Sequence, residues 1–195
     1  IGMDHRIGPH FLKASVGFGG SCFQKDILNL VYLCRHYGLF EVADYWLQVI
    51  MINDYQKERF TNKIIDAFDG NLVGKKIAIL GWAFKANTND SRESASIYVA
   101  EKLYKAGATL EIYDPIISKE SINNDINNYW KNDFIEQNPR ILINKTNKIE
   151  SRIYHAAAIL TEWEEFKKLD FPENTLVFDG RQLLPKNKVE FRIGG

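Results

Sequence analysis

The residues of this chain best suited to chemistry lie in one short segment near its start. Residues 17–26 read GFGGSCFQKD, so a thiol, an ammonium group and a carboxylate (Cys22, Lys25 and Asp26) follow three glycines. Glycine permits tight turns and lets a ligand approach the backbone closely. A helical pattern begins directly afterwards, and Cys22 and Asp26, four residues apart, would share one face of that helix. The segment therefore combines a nucleophile, a cation and a carboxylate beside a glycine-lined opening.

The start of this helix decides what the cysteine can do. Ser21 and Gln24 have the spacing of a capping box, which predicts that the helix begins at Ser21 and that Cys22 lies in its first turn. There the helix dipole favours a thiolate over a thiol. A lone cysteine is also often a small buried hydrophobic residue, and the residue types alone leave both interpretations open. Cys34 follows the apolar spacing of the same helix and is interpreted as a core residue.

The composition excludes several classes of protein. The 195 residues are 45% hydrophobic and 26% charged, and 25 basic residues balance 25 acidic ones. We therefore expect no nucleic-acid partner. No apolar run reaches the roughly 18–20 residues of a membrane span, so no membrane partner is expected. The two cysteines predict neither a disulfide framework nor a metal site. A cytoplasmic protein with reduced thiols is the expectation.

The first 70 residues are predicted to be largely helical. One helix is expected over 21–37 and a longer one over 41–68. The apolar stripe of the longer helix comprises Val42, Trp46, Val49, Ile50, Phe60, Ile64 and Phe68. At 1.5 Å per residue this helix would span roughly 40 Å, enough to link two domains or to build a subunit interface.

The remainder of the chain alternates between strand and helix patterns. Strands are predicted at 76–84, 109–113, 140–143, 156–160, 175–178 and 189–193, and helices at 91–106, 118–126, 128–136, 148–154 and 164–169. This alternation predicts an α/β fold in which a long central helix precedes a doubly wound, mainly parallel, Rossmann-like sheet. We divide the chain into a helical region over 1–70 and an α/β domain over 71–195. The first strand ends in GWAFK without a G-x-G-x-x-G motif, so this sheet carries no dinucleotide fingerprint.

Further candidate groups follow the predicted strands. Phe84 and Lys85 end the first strand and Arg181 follows a later one, and their ring, ammonium and guanidinium groups suit a pyrimidine and a diphosphate. A loop with ordinary solvated charges is the alternative. Asp90 and Glu93 have capping-box spacing with Asp90 as N-cap, which would place Arg92 beside free N–H groups that attract anions. Arg92 could instead only pair with Asp90 or Glu93.

Six motifs, in the same order, give the chain a family resemblance. They are GMDHRIG at 2–8, FLKAS at 11–15, GFGGSCFQKD at 17–26, GWAFK at 81–85, DSRES at 90–94 and FDGR at 178–181. Together they resemble the UDP-glucose/GDP-mannose dehydrogenase family. The resemblance implies NAD-dependent oxidation of the C6 alcohol of UDP-glucose to UDP-glucuronate by two hydride transfers. Cys22 would form a thiohemiacetal and then a thioester, Asp26 would orient or activate the hydrolytic water, and Lys25 would supply positive charge.

The resemblance also implies which residues bind the ligands. For the UDP-sugar they are Arg6 (acting on the neighbouring subunit), Phe11, Leu12, Lys13, Ala14, Ser15, Val16, Gly17, Phe18, Gly19, Phe84, Lys85 and Arg181. For the cofactor they are Cys22, Phe23, Gln24, Lys25 and Arg92, with Arg92 directed at the NAD pyrophosphate.

The same resemblance implies partners beyond this chain. Two NAD molecules per turnover would bind mainly to an N-terminal domain that this sequence lacks, and a homodimer or higher oligomer would form through the long helix. Because the sequence opens on Ile1 directly before a motif, we interpret it as a fragment or excised domain. Since the NAD-binding domain would be missing, we expect this fragment to be inactive alone. The alternatives are a dehydrogenase of GDP-mannose or of a UDP-N-acetyl sugar, or a non-catalytic nucleotide-binding or dimerisation module.

Overall fold

A computed structural model describes residues 1–9, 12–130, 140–144 and 154–193. The helices are α1 (Phe23–His36), α2 (Phe40–Asp66), α3 (Ala95–Lys105) and α4 (Lys119–Tyr129). The strands are β1 (Lys76–Leu80), β2 (Thr109–Tyr113), β3 (Ile141–Asn144), β4 (Ala156–Ile159), β5 (Leu176–Asp179) and β6 (Phe191–Arg192). Short 3₁₀ segments cover Glu164–Lys168 and Lys186–Lys188. The predicted helices over 128–136 and 148–154 fall mostly outside the described residues.

Helices α1 and α2 form the helical part of the molecule. They pack together through Val31, Cys34 and Ala43, which confirms the prediction that Cys34 is a core residue. Gly38 joins the helices with φ +73°, a left-handed conformation that costs glycine little. Helix α2 has 27 residues and so extends about 40 Å.

The predicted apolar stripe of α2 is only partly correct. Phe60 and Ile64 are buried as predicted, but Val42 is 43% exposed. Buried positions of the second half include polar residues, among them Asn53 and Lys57. These residues are buried because the second half of α2 packs against α3 and against the loop that precedes α1. The first half packs only partly on α1 within the described chain.

The sheet has the predicted parallel, doubly wound arrangement. Its strand order is β3-β2-β1-β4-β5-β6, and every neighbouring pair is parallel. In the register of the sheet, Ile79 of β1 lies between Ile112 of β2 and Ala158 of β4. The strand order reverses between β1 and β4. In open α/β sheets, ligands bind beside the carboxyl ends of the strands at such a reversal.

The first strand is shorter than its apolar run predicts. Strand β1 ends at Leu80, because Gly81 adopts φ +95° and turns the chain away from the sheet. A side chain at Gly81 would clash with Thr161. Trp82 remains fully buried beyond the turn, so the apolar run reflects burial of the loop as well as of the strand. The residues that follow belong to a loop that runs across the end of the sheet.

Both predicted capping boxes are wrong. Helix α1 begins at Phe23 with Cys22 as its N-cap residue and without a side-chain cap, because a hydrogen bond from the Gly20 N–H to the Arg92 carbonyl (2.8 Å) holds the preceding turn. Helix α3 begins after Ser94, whose Oγ accepts a hydrogen bond from the Ser96 N–H. Residues 91–94 form a turn of their own before this helix begins.

The described residues contain no candidate for two kinds of site. None of their helices combines the length and hydropathy that a membrane span requires. In the same part of the chain, no three His, Cys, Asp or Glu side chains cluster in a way that could hold a metal ion. The division into regions 1–70 and 71–195 stays a prediction; Phe60 and Ile64 of α2 belong to the same buried cluster as the sheet.

A buried carboxylate at the end of β2 holds the loops at the edge of the sheet. Asp114 Oδ2 accepts hydrogen bonds from the N–H groups of Trp82 (2.7 Å) and Ala83 (3.0 Å) and from the Trp163 indole (3.2 Å). Its Oδ1 accepts the N–H groups of Ile116 and Ile117, each at 2.9 Å. In dinucleotide-binding sheets an acidic side chain in this region binds the ribose. Here it is occupied by the protein's own donors.

We expect Asp114→Asn to lower the free energy of unfolding by about 2–4 kcal/mol, because an amide replaces one charged acceptor oxygen with a donor that faces N–H groups. Urea unfolding of the variant measures the loss. Asp170→Asn is the matched control, since the Asp170 side chain is 91% exposed and should change stability by less than about 0.5 kcal/mol. Equal stability of the two variants would contradict the role of Asp114.

Candidate functional site

Three loops meet beside Cys22. The ring of Phe84, in the loop after β1, lies so close to Gly20 that a Cβ there would be 3.1 Å from its atoms. Gly19 packs against the backbone of Glu93, where any side chain would clash. In the turn after β5, Gly180 packs against Val16 in the same way. Gly19, Gly20 and Gly180 thus allow residues 15–26, which we call the cysteine segment, to pack closely against the loops that follow β1 and β5.

Helix α2 holds the cysteine segment from the other side. Asn53 Oδ1 accepts a hydrogen bond from the Phe18 N–H (2.8 Å), and its amide donates to the Phe18 carbonyl (3.2 Å). The Gln56 amide donates to the Ser15 carbonyl at 3.2 Å. At Gly17, with φ +146°, a Cβ would lie 2.7 Å from Asn53 Oδ1. Sequence reasoning missed Asn53 and Gln56. The available signal was that Asn53, seven residues before Phe60, is a polar residue on the predicted apolar face of α2.

Cys22 itself is exposed at the start of α1. Its Sγ lies 3.5 Å from Ser21 Oγ, and its carbonyl accepts the Asp26 N–H at 2.8 Å, so Cys22 and Asp26 are one helical turn apart. Lys25 and Asp26 are exposed on the first turn of α1. Phe23 packs edge-on against Phe18 with ring centroids 4.7 Å apart. A solvent-accessible thiol at a helix N-terminus is suited to nucleophilic attack.

Arg92 pairs with Asp90, one of the two partners considered from the sequence. The Nε and Nη2 groups of Arg92 donate to the two carboxylate oxygens of Asp90 at 3.0 and 2.9 Å. This hydrogen bond holds the pKa of Asp90 below its usual value and raises the pKa of Arg92, to which the nearby Cys22 contributes a smaller increase. Glu93 instead accepts the Tyr98 hydroxyl at 2.5 Å. Arg92 remains exposed beside Cys22, where its charge can attract an anion.

The turn after β5 fixes Arg181. The fully buried Asp179 accepts the Arg181 N–H (2.9 Å) and the Leu184 N–H (2.8 Å) on its two oxygens. The Arg181 side chain is only 15% exposed and forms an ion pair with Glu162, a residue that sequence reasoning did not select. Lys85 is exposed, with its Nζ 5.4 Å from the centroid of the Phe84 ring.

The other predicted ligand-binding residues differ in their placement. Arg6 is exposed, and within the described chain its side-chain hydrogen bonds go to Asp4. Leu12 and Lys13 are exposed, Ser15 and Gln24 are half-buried, and Ala14 packs against the core. Val16 is buried, so its backbone is the part available to a ligand. Phe11 lies outside the described residues.

A cavity of about 360 Å³ lies between α2 and α3 and shares no lining residue with the three loops. The buried Lys57 ammonium lies 3.0 Å from Asp54 Oδ1 and 4.1 Å from the centroid of the Tyr98 ring. Burial and the hydrogen bond to Glu93 raise the pKa of Tyr98 well above its usual value, so this hydroxyl stays protonated. The other charged residues that line this cavity also form ion pairs, Lys102 with Glu58 and Lys105 with Glu101.

Comparison with known proteins gives concordant matches in sequence. The profile of the UDP-glucose/GDP-mannose dehydrogenase family, UDP binding domain, matches residues 78–186, and that of the central domain of the same family matches residues 1–55. UDP-glucose 6-dehydrogenase 2 of Oryza sativa subsp. japonica is 45% identical over 213 residues, covering 100% of this chain and 43% of the relative. UDP-glucose 6-dehydrogenase of Pongo abelii is 49% identical over 191 residues, covering 94% and 39%. The chain therefore spans about two-fifths of the length of these relatives.

Solved structures give the same fold. A UDP-glucose dehydrogenase from the hyperthermophilic archaeon Pyrobaculum islandicum superposes with a TM-score of 0.77 at 28% identity, over 99% of this chain and 41% of that one. GDP-mannose dehydrogenase from Pseudomonas aeruginosa gives a TM-score of 0.73 at 21% identity, over 96% and 42%. At this lower identity the second match supports the fold alone.

Proposed function

The chain belongs to the UDP-glucose/GDP-mannose dehydrogenase family, and we propose that it supplies the catalytic cysteine and the UDP-sugar-binding half of an NAD-dependent UDP-glucose 6-dehydrogenase. One observation carries this proposal: the segment that bears the exposed Cys22 packs against the loops that follow the carboxyl ends of β1 and β5. A nucleophile is thereby held beside the edge of the sheet where ligands bind in such folds.

The nucleotide is assigned to the strand ends. Phe84 offers a ring face for the uracil, and Lys85 and Arg181 offer cations for the diphosphate. The sugar would lie toward Cys22 along residues 11–19, whose glycines leave the backbone accessible. Arg6, exposed and paired only with Asp4 among the described residues, is assigned to the sugar of a neighbouring subunit.

The reaction requires a nucleophile because it oxidises an alcohol twice. Loss of a hydride from C6 and of the hydroxyl proton turns the alcohol into an aldehyde. The hydride that remains on this carbon can leave only after a nucleophile has added to it. The Cys22 thiolate adds there and forms a thiohemiacetal, whose oxidation leaves a thioester. Asp26 takes a proton from the water that attacks this thioester, which releases the carboxylate and the thiol.

Bound NAD would supply the hydride acceptor, with one molecule for each of the two oxidations. The described sheet does not suit it, because the glycine fingerprint is absent and Asp114 is occupied by the protein's own donors. Arg92, exposed beside the start of α1, suits the pyrophosphate, and residues 22–25 adjoin it. The cofactor would otherwise be held by groups outside this chain. We place the enzyme in the cytoplasm, where thiols remain reduced.

The test is an assay of the full-length protein with NAD and three substrates: UDP-glucose, GDP-mannose and UDP-N-acetylglucosamine. We expect selective conversion of UDP-glucose to its C6 acid with two NADH per sugar. Preference for either other nucleotide sugar would retain the family and change the assigned substrate. Conversion of none of the three would refute the proposal.

Helices α1 and α2 and the turn between them carry many exposed apolar side chains. They include Leu28, Tyr32, Leu33, Tyr37, Leu39, Phe40, Val42, Tyr45, Met51, Ile52 and Tyr55. An exposed apolar surface of this extent marks an interaction site. We assign it to a homodimer, or a larger assembly built from that dimer, through the long helix.

We expect Ile52→Glu to convert the dimer to a monomer, because a carboxylate at this 65% exposed position would be buried without a partner in the interface. Light scattering after size-exclusion chromatography measures the mass. Ile116→Glu is the matched control, an isoleucine that is 50% exposed outside α1 and α2. An unchanged mass for Ile52→Glu would place any interface elsewhere.

A further inference from the structure

Glu162 joins two loops to which the proposed function assigns the nucleotide. Its Oε1 accepts the Ala86 N–H at 3.4 Å, in the loop that carries Phe84 and Lys85. Its Oε2 forms the ion pair with the guanidinium of Arg181, in the turn after β5. These loops are far apart in sequence and are brought together by the order of the sheet. A single carboxylate therefore links both sets of predicted nucleotide-binding groups.

The neighbours of Glu162 hold it in place. Thr161 Oγ1 donates to the Ala83 carbonyl at 2.6 Å, and the Trp163 indole donates to Asp114 Oδ2 at 3.2 Å. Both side chains are buried. The three consecutive residues after β4 thus anchor themselves to the loops that follow β1 and β2. These hydrogen bonds hold the backbone on both sides of Glu162 in place.

We propose that Glu162 is a positioning residue that orients Arg181 toward the diphosphate; this inference rests on the proposed function. A guanidinium has five N–H donors in a rigid fork. The ion pair with Glu162 uses Nη2 of the Arg181 guanidinium, so its other N–H donors remain available for a phosphate oxygen. Holding the long arginine side chain in one rotamer before binding removes an entropy cost from the binding step.

An opposite effect decides the sign of the test. The Glu162 carboxylate is negative, and its charge repels a diphosphate held by Arg181. If repulsion dominated, removing the carboxylate would tighten binding. If orientation dominates, removing it weakens binding. Glutamine at this position removes the charge and keeps one acceptor oxygen, which can serve either the Ala86 N–H or the guanidinium but not both.

The experiment is calorimetric titration of the full-length protein with UDP. We expect Glu162→Ala to weaken UDP binding about tenfold, which corresponds to 1.4 kcal/mol, and Glu162→Gln to restore part of this loss. Glu164→Ala is the matched control, because the neighbouring exposed carboxylate pairs only with Lys167 among the described residues. Unfolding temperatures are recorded for each variant to detect a loss of fold.

A double variant separates positioning from a general structural effect. In an Arg181→Gln background, Glu162→Ala should weaken UDP binding by less than about twofold, because its effect acts through Arg181. Unchanged or tighter binding by Glu162→Ala, or the same tenfold loss in the Arg181→Gln background, would overturn the inference alone. Failure of the wild-type protein to bind UDP would overturn the proposed function and the inference together.

Discussion

Cys22→Ala in the full-length protein is expected to reduce formation of the sugar acid by about a thousandfold or more, and to leave UDP-glucose binding within about threefold. Without the thiolate the C6 aldehyde has no nucleophile to form the adduct that the second oxidation requires. Acid formation is measured by chromatography of the nucleotide products, and binding by calorimetry.

The second cysteine supplies the control. Cys34 is buried between α1 and α2, so Cys34→Ala should retain acid formation and lose only stability. For the same reason iodoacetamide should modify the exposed Cys22 first, and one equivalent should suffice to inactivate the enzyme. Undiminished acid production by Cys22→Ala would refute the nucleophilic role.

Asp26→Asn is expected to stop the reaction after both oxidations. General-base assistance contributes about 10²–10⁴-fold to rate, so steady-state turnover should fall by about that factor. Because Cys22 remains, a burst of two NADH per site should precede the stall. Intact-protein mass spectrometry should then show the nucleotide sugar attached to Cys22 as a thioester.

An exposed carboxylate elsewhere on the helical part is the control for this variant. Asp44 lies on α2, is 72% exposed and pairs with Arg35 at 3.6 Å, so Asp44→Asn should show neither the burst nor the covalent adduct. Normal turnover by Asp26→Asn would show that the Asp26 carboxylate takes no part in thioester hydrolysis. Loss of the NADH burst together with turnover would show that Asp26 acts in one of the two oxidation steps instead.

The sequence predicted the fold because strand and helix patterns are local. Alternating strands and helices indicated the parallel sheet, and α2 was predicted within two residues of its observed ends. Capping was predicted less well, since a serine or aspartate near a helix start can bond to several nearby donors. Asp90 has the capping spacing, yet Arg92 occupies both of its oxygens.

The candidate site was only partly accessible to sequence reasoning. The cysteine segment and Arg181 carry recognisable motifs, but Glu162 has no local signature. Its partners, Ala86 and Arg181, follow other strands, so their meeting depends on strand order and register. The role of Asn53 was likewise not predicted, because its partner Phe18 lies 35 residues away in sequence.

Helix α2 carries both the exposed apolar surface and the asparagine that binds the cysteine segment. Its exposed apolar side chains extend from Phe40 to Tyr55, and within that span Asn53 grips the backbone of the cysteine segment. An α-helix bends only gently, so a tilt imposed at one end displaces Asn53 in proportion to its distance from the pivot. In the proposed dimer, the angle of this helix against the partner subunit would therefore also influence the position of the segment that carries Cys22. Dimer formation would then influence the reaction through the position of this helix.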